Sequence, residues 1–365
     1  MPTSNGLPTL KIAFEKAAQT VANRSKKGTV AVFVRDENAQ GVHLLSREAL
    51  IPERLSVENK NQIKLAFQGS DRGVPSQVVL VVIDTDSSDT TALEAGLKAI
   101  EMCSIDYMAG PMDVTDEEMA KLVEWVKDQR AAYRPVKLVK PWKSAGSDDM
   151  GVIELDETGL KNAAGAVTAS AYCARIAGIL AGIPMGMSAT YTSLPELTAV
   201  TERTALEQEE AIKNGKLILI HDGLQAKIAR AVNSLTTILA TGKEDWSRIK
   251  IVEGMDLISY YLRTTIEDQY LGRYPNTYDN KQILVTAVAD YLRYLEQAGV
   301  LSPGESYAEV DYDRQLKWLN DTGIDTSAMT EQQVLEYQTG SWVFIRCGGR
   351  LVDAMEDFEV LFNNL

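Results

Sequence analysis

Apolar positions in the first half of the chain follow two alternating patterns. The unbroken, β-branched runs TVAVFV (29–34) and SQVVLVVIDTD (76–86) have the continuous hydrophobicity of strands, and the second is of the kind buried on both faces. Around them the pattern turns helical in SVENKNQIKLAFQG, TTALEAGLKAIEM and TDEEMAKLVEWVKDQRAAY, the first with Ser56 as N-cap and Gly69 beyond its end. SIDYMAGP and PVKLVKP read as two further strands. Strand and helix thus alternate, which predicts parallel strands joined by crossover helices, and residues from about Val30 to Pro184 read as one α/β unit.

The second half groups its elements instead. GKLILIHDGLQAKIARAVNSL predicts two strands around a turn at Asp222 and Gly223. MDLISYYLRTTIEDQYLG and NKQILVTAVADYLRYLEQAGVL predict long helices, with Gly299 as a terminator, and strands return at SWVFIRCGGRLV. The fold class is therefore α/β: an N-terminal alternating strand–helix domain with a largely parallel sheet, then an α+β C-terminal domain, with strand-like arms at both termini. The expected divisions are an N-terminal arm over 1–20, the α/β domain over 21–190, the α+β domain over 191–347, and a C-terminal strand and arm over 348–365. The polar, Gly-containing loop at 140–151 is expected to be exposed.

One apolar stretch, AAGAVTASAYCARIAGILAGIPMGM (163–187), is long enough to suggest a membrane span. Ala and Gly insert poorly, however, and Arg175 would sit near mid-bilayer at a cost of about 3 kcal/mol. Ala174, Ala177, Gly178 and Ala181 read instead as a helix face that admits another backbone closely, with Pro184 helping to end the helix.

Composition narrows the functional classes. The chain has 365 residues, is 45% hydrophobic and 24% charged, and has a formal net charge of -14. No basic patch interrupts that acidic balance, so nucleic acid is not an expected partner. Cys103, Cys173 and Cys347 are widely spaced and lack a CxxC pattern, which fits a reducing cytoplasm. The opening MPTSNGLPTLKIAFEK lacks the basic flank and long apolar run of a secretion signal.

The search for chemistry gives little. Of two histidines, only His221 has an adjacent carboxylate, Asp222, and no GxSxG elbow accompanies them. ATGKED is not a phosphate loop and no GxGxxG follows a strand. Asp84, Asp86 and Asp89 fall at the carboxyl end of a buried strand, where a divalent cation is conceivable, although turn and N-cap chemistry explains them as well. A cytoplasmic metal-dependent hydrolase using Asp84 and Asp86 stands as the alternative reading. Otherwise no catalytic residue, metal or cofactor is expected.

Attention moves to the ends. LPTLKIAFEKAA places Leu10, Ile12 and Phe14 on one face of a short strand, and DAMEDFEVLFNNL does the same with Phe358, Val360 and Phe362. Each end strand either pairs within its own sheet or completes a neighbour's by β-augmentation. About six added backbone hydrogen bonds at roughly 0.5–1.5 kcal/mol each, plus about 4 kcal/mol for two buried Phe side chains, oppose about 1–2 kcal/mol of backbone entropy per ordered residue. These opposing contributions nearly cancel for an eight-residue arm. Such links are weak singly and firm only in numbers.

The segments LPTLKIAFEKAAQTVANRSKKGTVAVFV, YCARIAGILAGIPMGMSATYTSL, GKLILIHDGLQAKIARAVNSLTT, YLGRYPNTYDNKQIL and TGSWVFIRCGGRLVDAMEDFEVLF, in that order, make the chain resemble contractile phage tail sheath proteins, most nearly the short sheaths of myophage-like tails and phage-tail-like bacteriocins. The resemblance covers nearly the whole chain. It implies a structural subunit, made in the bacterial cytoplasm and assembled into a virion tail or phage-tail-like particle. Six-membered rings of such subunits stack around an inner tube and contract to drive it through a cell envelope. It also implies as partners further copies of the chain, a tail tube protein, and baseplate and tail terminator proteins, with no membrane insertion.

In that family, N- and C-terminal strands from different neighbours join strands of a third subunit. Carried over, the arms are residues 7–14 and 358–362, and the acceptor includes the strand around Trp342 and Phe344 up to Arg346. The resemblance also puts the helices spanning 255–301 on the tube side, with Glu267 and Asp268 exposed to it. Large outer domains inserted in long phage sheaths are missing, which implies a minimal sheath.

Overall fold

A computed structural model describes residues 28–85, 90–143, 146–237 and 244–362. The expected N-terminal arm with Leu10, Ile12 and Phe14 lies outside the described residues, as do Asp86 and Asp89. The chain divides into two compact units, the larger ending at Glu253 and rejoined from Asp353 onward, the smaller spanning Gly254–Val352.

The larger unit begins with β1 (Thr29–Arg35), β2 (Gly41–Leu45), α1 (Val57–Gln68), β3 (Gln77–Ile83), α2 (Thr91–Ala99), β4 (Tyr107–Ala109), α3 (Asp116–Ala131), β5 (Lys137–Pro141) and β6 (Val152–Leu155). It continues with the short β7 (Lys161–Asn162) and β8 (Gly165–Ala166), α4 (Ala169–Gly182), β9 (Ser193–Leu194), β10 (Leu197–Ala199), α5 (Ala205–Lys213), β11 (Lys216–Leu217), β12 (Leu219–His221), β13 (Ala226–Ile228) and the start of α6 (Ile249–Gln269).

Seven strands make the central sheet in the order β11-β6-β5-β4-β1-β3-β2, parallel throughout except for the edge strand β2. The continuous apolar runs have a direct cause. Successive side chains of a strand point to opposite faces, and here both faces are covered. Val30, Val32 and Val34 join Val78, Leu80 and Val82 in a core that includes Ile63 and Ala66 of α1 and most of α4. Ala31 and Phe33 join Val79 and Val81 on the other face, against Leu93 and Leu97 of α2 and Leu122 and Val126 of α3.

Helix ends follow the sequence signals. The Ser56 hydroxyl accepts the Asn59 N–H at the start of α1, and Gly69 stands beyond its end at φ 55°. Thr115 and Glu118 form a reciprocal capping box on α3.

The small residues of α4 do what their pattern implies. A Cβ on Gly178 would lie 2.0 Å from the Ala66 carbonyl oxygen, so α1 and α4 meet backbone to backbone. Arg175 is buried in this helix, its Nε donating to Glu196 at 2.7 Å and its Nη1 to the Gly69 carbonyl at the C-terminus of α1. Burial pushes the Glu196 carboxyl up, but Arg175 outweighs this and holds it below the usual range. No helix of the described residues is long and apolar enough to cross a membrane.

Two details differ from the sequence pattern. The pattern changes near residue 190, whereas the units divide between Glu253 and Gly254. Strand β11 continues the parallel sheet, and Leu219, Ala226 and Ile228 of the β12–β13 hairpin enter its core. The loop expected to be exposed starts at a buried Lys140, whose Nζ lies 2.8 Å from Glu154 Oε1.

The smaller unit holds the rest of α6, α7 (Tyr278–Gln297), β14 (Tyr307–Val310), α8 (Tyr312–Asp321), α9 (Glu331–Glu336) and β15 (Ile345–Gly348). Its buried apolar residues include Leu284, Val288, Leu292 and Leu295 of α7, a spacing of three and four that turns one helix face inward.

Candidate functional site

Strands β14 and β15 pair antiparallel as a two-stranded sheet, with Tyr307 opposite Gly348, Glu309 opposite Arg346 and Val310 opposite Ile345. One face carries the exposed Tyr307, Glu309 and Arg346, and Arg346 donates to Glu309 at 2.8 Å and to Asp313 at 3.2 Å. The other face carries Ala308, Val310, Ile345 and Cys347, less exposed and on the side packed against α7. In a two-stranded sheet, β15 has one partner, so its second edge is unused by the described strands. An unpaired edge offers N–H and C=O groups to an incoming strand.

Trp342 and Phe344, the expected acceptor residues, stand just before this strand and not inside it. Their rings stack at 6.2 Å between centroids, and Phe344 also lies 6.4 Å from Trp318. The Trp342 carbonyl is already taken by the side-chain amide of Asn276 at 2.8 Å and by the Thr339 hydroxyl. Regular pairing therefore begins later, with the Asp311 N–H donating to the Phe344 carbonyl at 2.9 Å and β15 following.

Beyond β15 the chain bridges Leu301 at Leu351, returns a hydrogen bond from Val352 N–H to the Val300 carbonyl at 3.0 Å, and enters the larger unit at Asp353. From there to Phe362 it forms neither helix nor strand. Phe358 is 75% exposed, and Val360 and Phe362 are each 84% exposed, so the described C-terminal strand residues are buried in no sheet of their own chain.

The segment just before them is held firmly. Arg248 Nη1 lies 3.0 Å from Asp353 Oδ2 and 3.4 Å from Glu356 Oε2. Arg230 pairs with the same Glu356 oxygen at 3.6 Å and with Asp357. The Ser188 hydroxyl donates to the other Glu356 oxygen at 2.6 Å, and that carboxylate is almost fully buried. Burial pushes the Lys250 amine down, and the nearby charges of Asp353 and Glu356 oppose this. Backbone pairing between 231–233 and 247–249 keeps the two arginines together. The sequence pattern singles out the apolar residues at 358–362 but not this root. Its only visible trace is the acidic spacing Asp353, Glu356, Asp357 ahead of the apolar residues, because the basic partners lie over 100 positions away.

Among the described residues the candidates for chemistry do not assemble. The His221 Nδ1 accepts the Gly223 N–H at 3.1 Å, while Asp222 accepts from Leu224 and Gln225, so both serve the β12–β13 turn. His43 Nε2 meets the Ala39 carbonyl at 2.7 Å. Asp84 is exposed after β3 beside Thr85, and among the described residues no group of three or more His, Cys, Asp or Glu is placed to hold a metal ion. All three cysteines are free thiols, and Cys173 is buried in the core.

Residues 241–363 match the family described as phage tail sheath C-terminal domain. The tail sheath protein of Clostridium phage phiCD119 is 30% identical over 359 residues, covering 97% of this chain and 98% of that protein. The crystal structure of the sheath tail protein from Desulfitobacterium hafniense superposes with a TM-score of 0.64 at 14% identity, covering 84% of this chain and 94% of that one. The contracted helical sheath of the anti-feeding prophage, solved by cryo-electron microscopy, gives a TM-score of 0.68 at 14% identity over 100% of this chain and 99% of that one. These two structures share its fold.

Proposed function

The chain belongs to the phage tail sheath protein family and is a structural sheath subunit, and from that premise we propose how it joins its neighbours. Copies polymerise as stacked six-membered rings around an inner tube, and the sheath shortens to drive that tube through a cell envelope. The links are exchanged terminal strands. Phe358, Val360 and Phe362 enter a neighbour's β14–β15 sheet at the outer edge of β15, and residues 7–14, with Leu10, Ile12 and Phe14, form the reciprocal arm.

The observation that carries this reading is the pairing of opposites in one chain: an exposed, alternating apolar segment at 358–362 and a two-stranded sheet with an unused edge. An added strand follows the pleat, so residues two apart share a face. Phe358, Val360 and Phe362 then extend the face made by Ala308, Val310, Ile345 and Cys347.

The tube protein, baseplate and tail terminator are the further partners, and the relative from the anti-feeding prophage, itself solved as a helical sheath and within a baseplate, supports that reading. The protein is made in the bacterial cytoplasm and works in an assembled tail, without a catalytic role. A hydrolase using Asp84 and Asp86 finds no support among the relatives, which are sheath proteins.

The test is electron microscopy of the purified protein with and without residues 358–365. The full chain is expected to form tubes of phage-tail width, and the truncated chain to stay folded, soluble and unassembled. Normal tubes from the truncated chain would overturn the arm assignment.

A further inference from the structure

We infer that Arg230 and Arg248 act as a basic clasp that fastens the root of the C-terminal arm, through Asp353, Glu356 and Asp357, to the larger unit, and that this fastening controls assembly. The inference rests on the arm reading above and adds a control element to it. The arm's covalent path leaves the smaller unit at Val352, yet every ion pair at its root is made within the larger one.

Several features mark the clasp as built and not incidental. Glu356 is its centre: a nearly buried carboxylate shared by two arginines and satisfied on its other oxygen by the Ser188 hydroxyl. Ser188 is itself positioned, since its hydroxyl accepts the Thr190 N–H at 3.1 Å and its carbonyl accepts from Arg72. Arg230 and Arg248 flank paired backbone, with the Ile249 N–H donating to the Ala231 carbonyl at 3.1 Å. Burying the Glu356 carboxylate is favourable only while its arginine partners remain in place.

The consequence concerns reach and direction. With the clasp closed, the arm is free from Phe358 onward. With it open, five more residues, Asp353 to Asp357, join the free segment and lengthen its reach by about 17 Å at about 3.4 Å per extended residue. A longer tether lowers the effective concentration of the arm at its acceptor edge and adds residues to be ordered on docking. The clasp also means that tension on a docked arm is received by the larger unit.

The experiment compares three full-length proteins: wild type, the charge reversal Arg230→Glu with Arg248→Glu, and that reversal combined with Asp353→Arg and Glu356→Arg. Assembly is read as the critical concentration for tubes by sedimentation and electron microscopy, and root order as resistance to limited proteolysis by proteinase K across 353–357. The reversal is expected to raise the critical concentration about tenfold and to open the root to cleavage, and the four-residue swap to restore both. Tubes from the reversed protein at the wild-type concentration, or a swap that restores neither, would overturn the clasp. If the reversed chain does not fold by circular dichroism, Glu356→Gln takes its place with the same expected directions. The truncation lacking residues 358–365 separates the two ideas. Failure of truncated chains alone to assemble leaves the arm standing and the clasp refuted, whereas normal tubes from truncated chains refute the arm itself.

Discussion

Gly178→Ala tests the closest contact in the larger unit. Two effects oppose each other. Alanine in a helix interior is about 1 kcal/mol better than glycine, which predicts stabilisation if nothing is near. Here the new Cβ would stand 2.0 Å from the Ala66 carbonyl oxygen, with the Ala66 carbonyl carbon at 2.8 Å. Ordinary contact begins near 3.4 Å, so α1 and α4 must separate by about 1.4 Å. The obstacle is backbone held in a helix and cannot swing aside. Overpacking of this kind costs about 1–3 kcal/mol, and a backbone clash belongs at the upper end. The net expectation is a loss of about 2 kcal/mol, or about 4–8 °C in Tm for a unit of this size. Urea unfolding followed by circular dichroism, at concentrations too dilute for assembly, measures it. Gly186→Ala is the control, because no atom lies within 4 Å of its added Cβ. A Gly178→Ala protein as stable as wild type, or more so, would refute the backbone-to-backbone packing.

Three further outcomes follow from other sites. Thr115→Ala removes one half of the α3 capping box and is expected to cost about 1 kcal/mol in the same unfolding assay. Lys281 is buried with its Nζ 3.0 Å from Gln315 Oε1, and burial pushes its amine down to about 8. Between pH 8 and the usual lysine value the unfolded chain keeps a proton that the folded chain has released, so this site adds stability as pH rises through that window. Wild type should therefore gain on Lys281→Met from pH 8 toward 10.5, and parallel stability curves would contradict the assignment. Glu267 and Asp268 are exposed on α6, and reversing both charges is expected to weaken co-sedimentation with tail tubes, which unchanged binding would count against.

What could be read from the chain depended on how local the cause was. The runs at β1 and β3 announced a sheet covered on both sides because no other placement hides consecutive Val, Leu and Ile residues. The cap at Ser56 was legible because it satisfies a donor within three positions, and the Thr115 box is equally local although the pattern there reads only as a helix. The Ala and Gly face of α4 was legible as close packing, but its partner was not, since Ala66 lies more than 100 positions away. The aromatic alternation around Trp342 reads as strand, yet Asn276 occupies the Trp342 carbonyl and moves the start of β15 to Ile345. Charge partners were the least visible: Glu154 with Lys140, and Glu356 with Arg230 and Arg248, are decided by folding and leave only scattered acids and bases in the sequence.

The clasp alters the energetics of a weak link. About six backbone hydrogen bonds and two buried Phe side chains just about offset the ordering of an eight-residue arm. That near balance holds only if the eight residues from Phe358 to Leu365 are all that must be ordered. Freeing Asp353 to Asp357 as well leaves part of that segment to be ordered on docking, and the expected tenfold rise in critical concentration, about 1.4 kcal/mol, is enough to turn the balance against docking. In the proposed clasp, Arg230 and Arg248 hold Asp353, Glu356 and Asp357 before any neighbour arrives. A sheath made of many marginal links is therefore sensitive to the root of the arm as much as to its tip. Substitutions at Glu356 should act on assembly as strongly as substitutions at Phe358, although Glu356 never enters the neighbour's sheet.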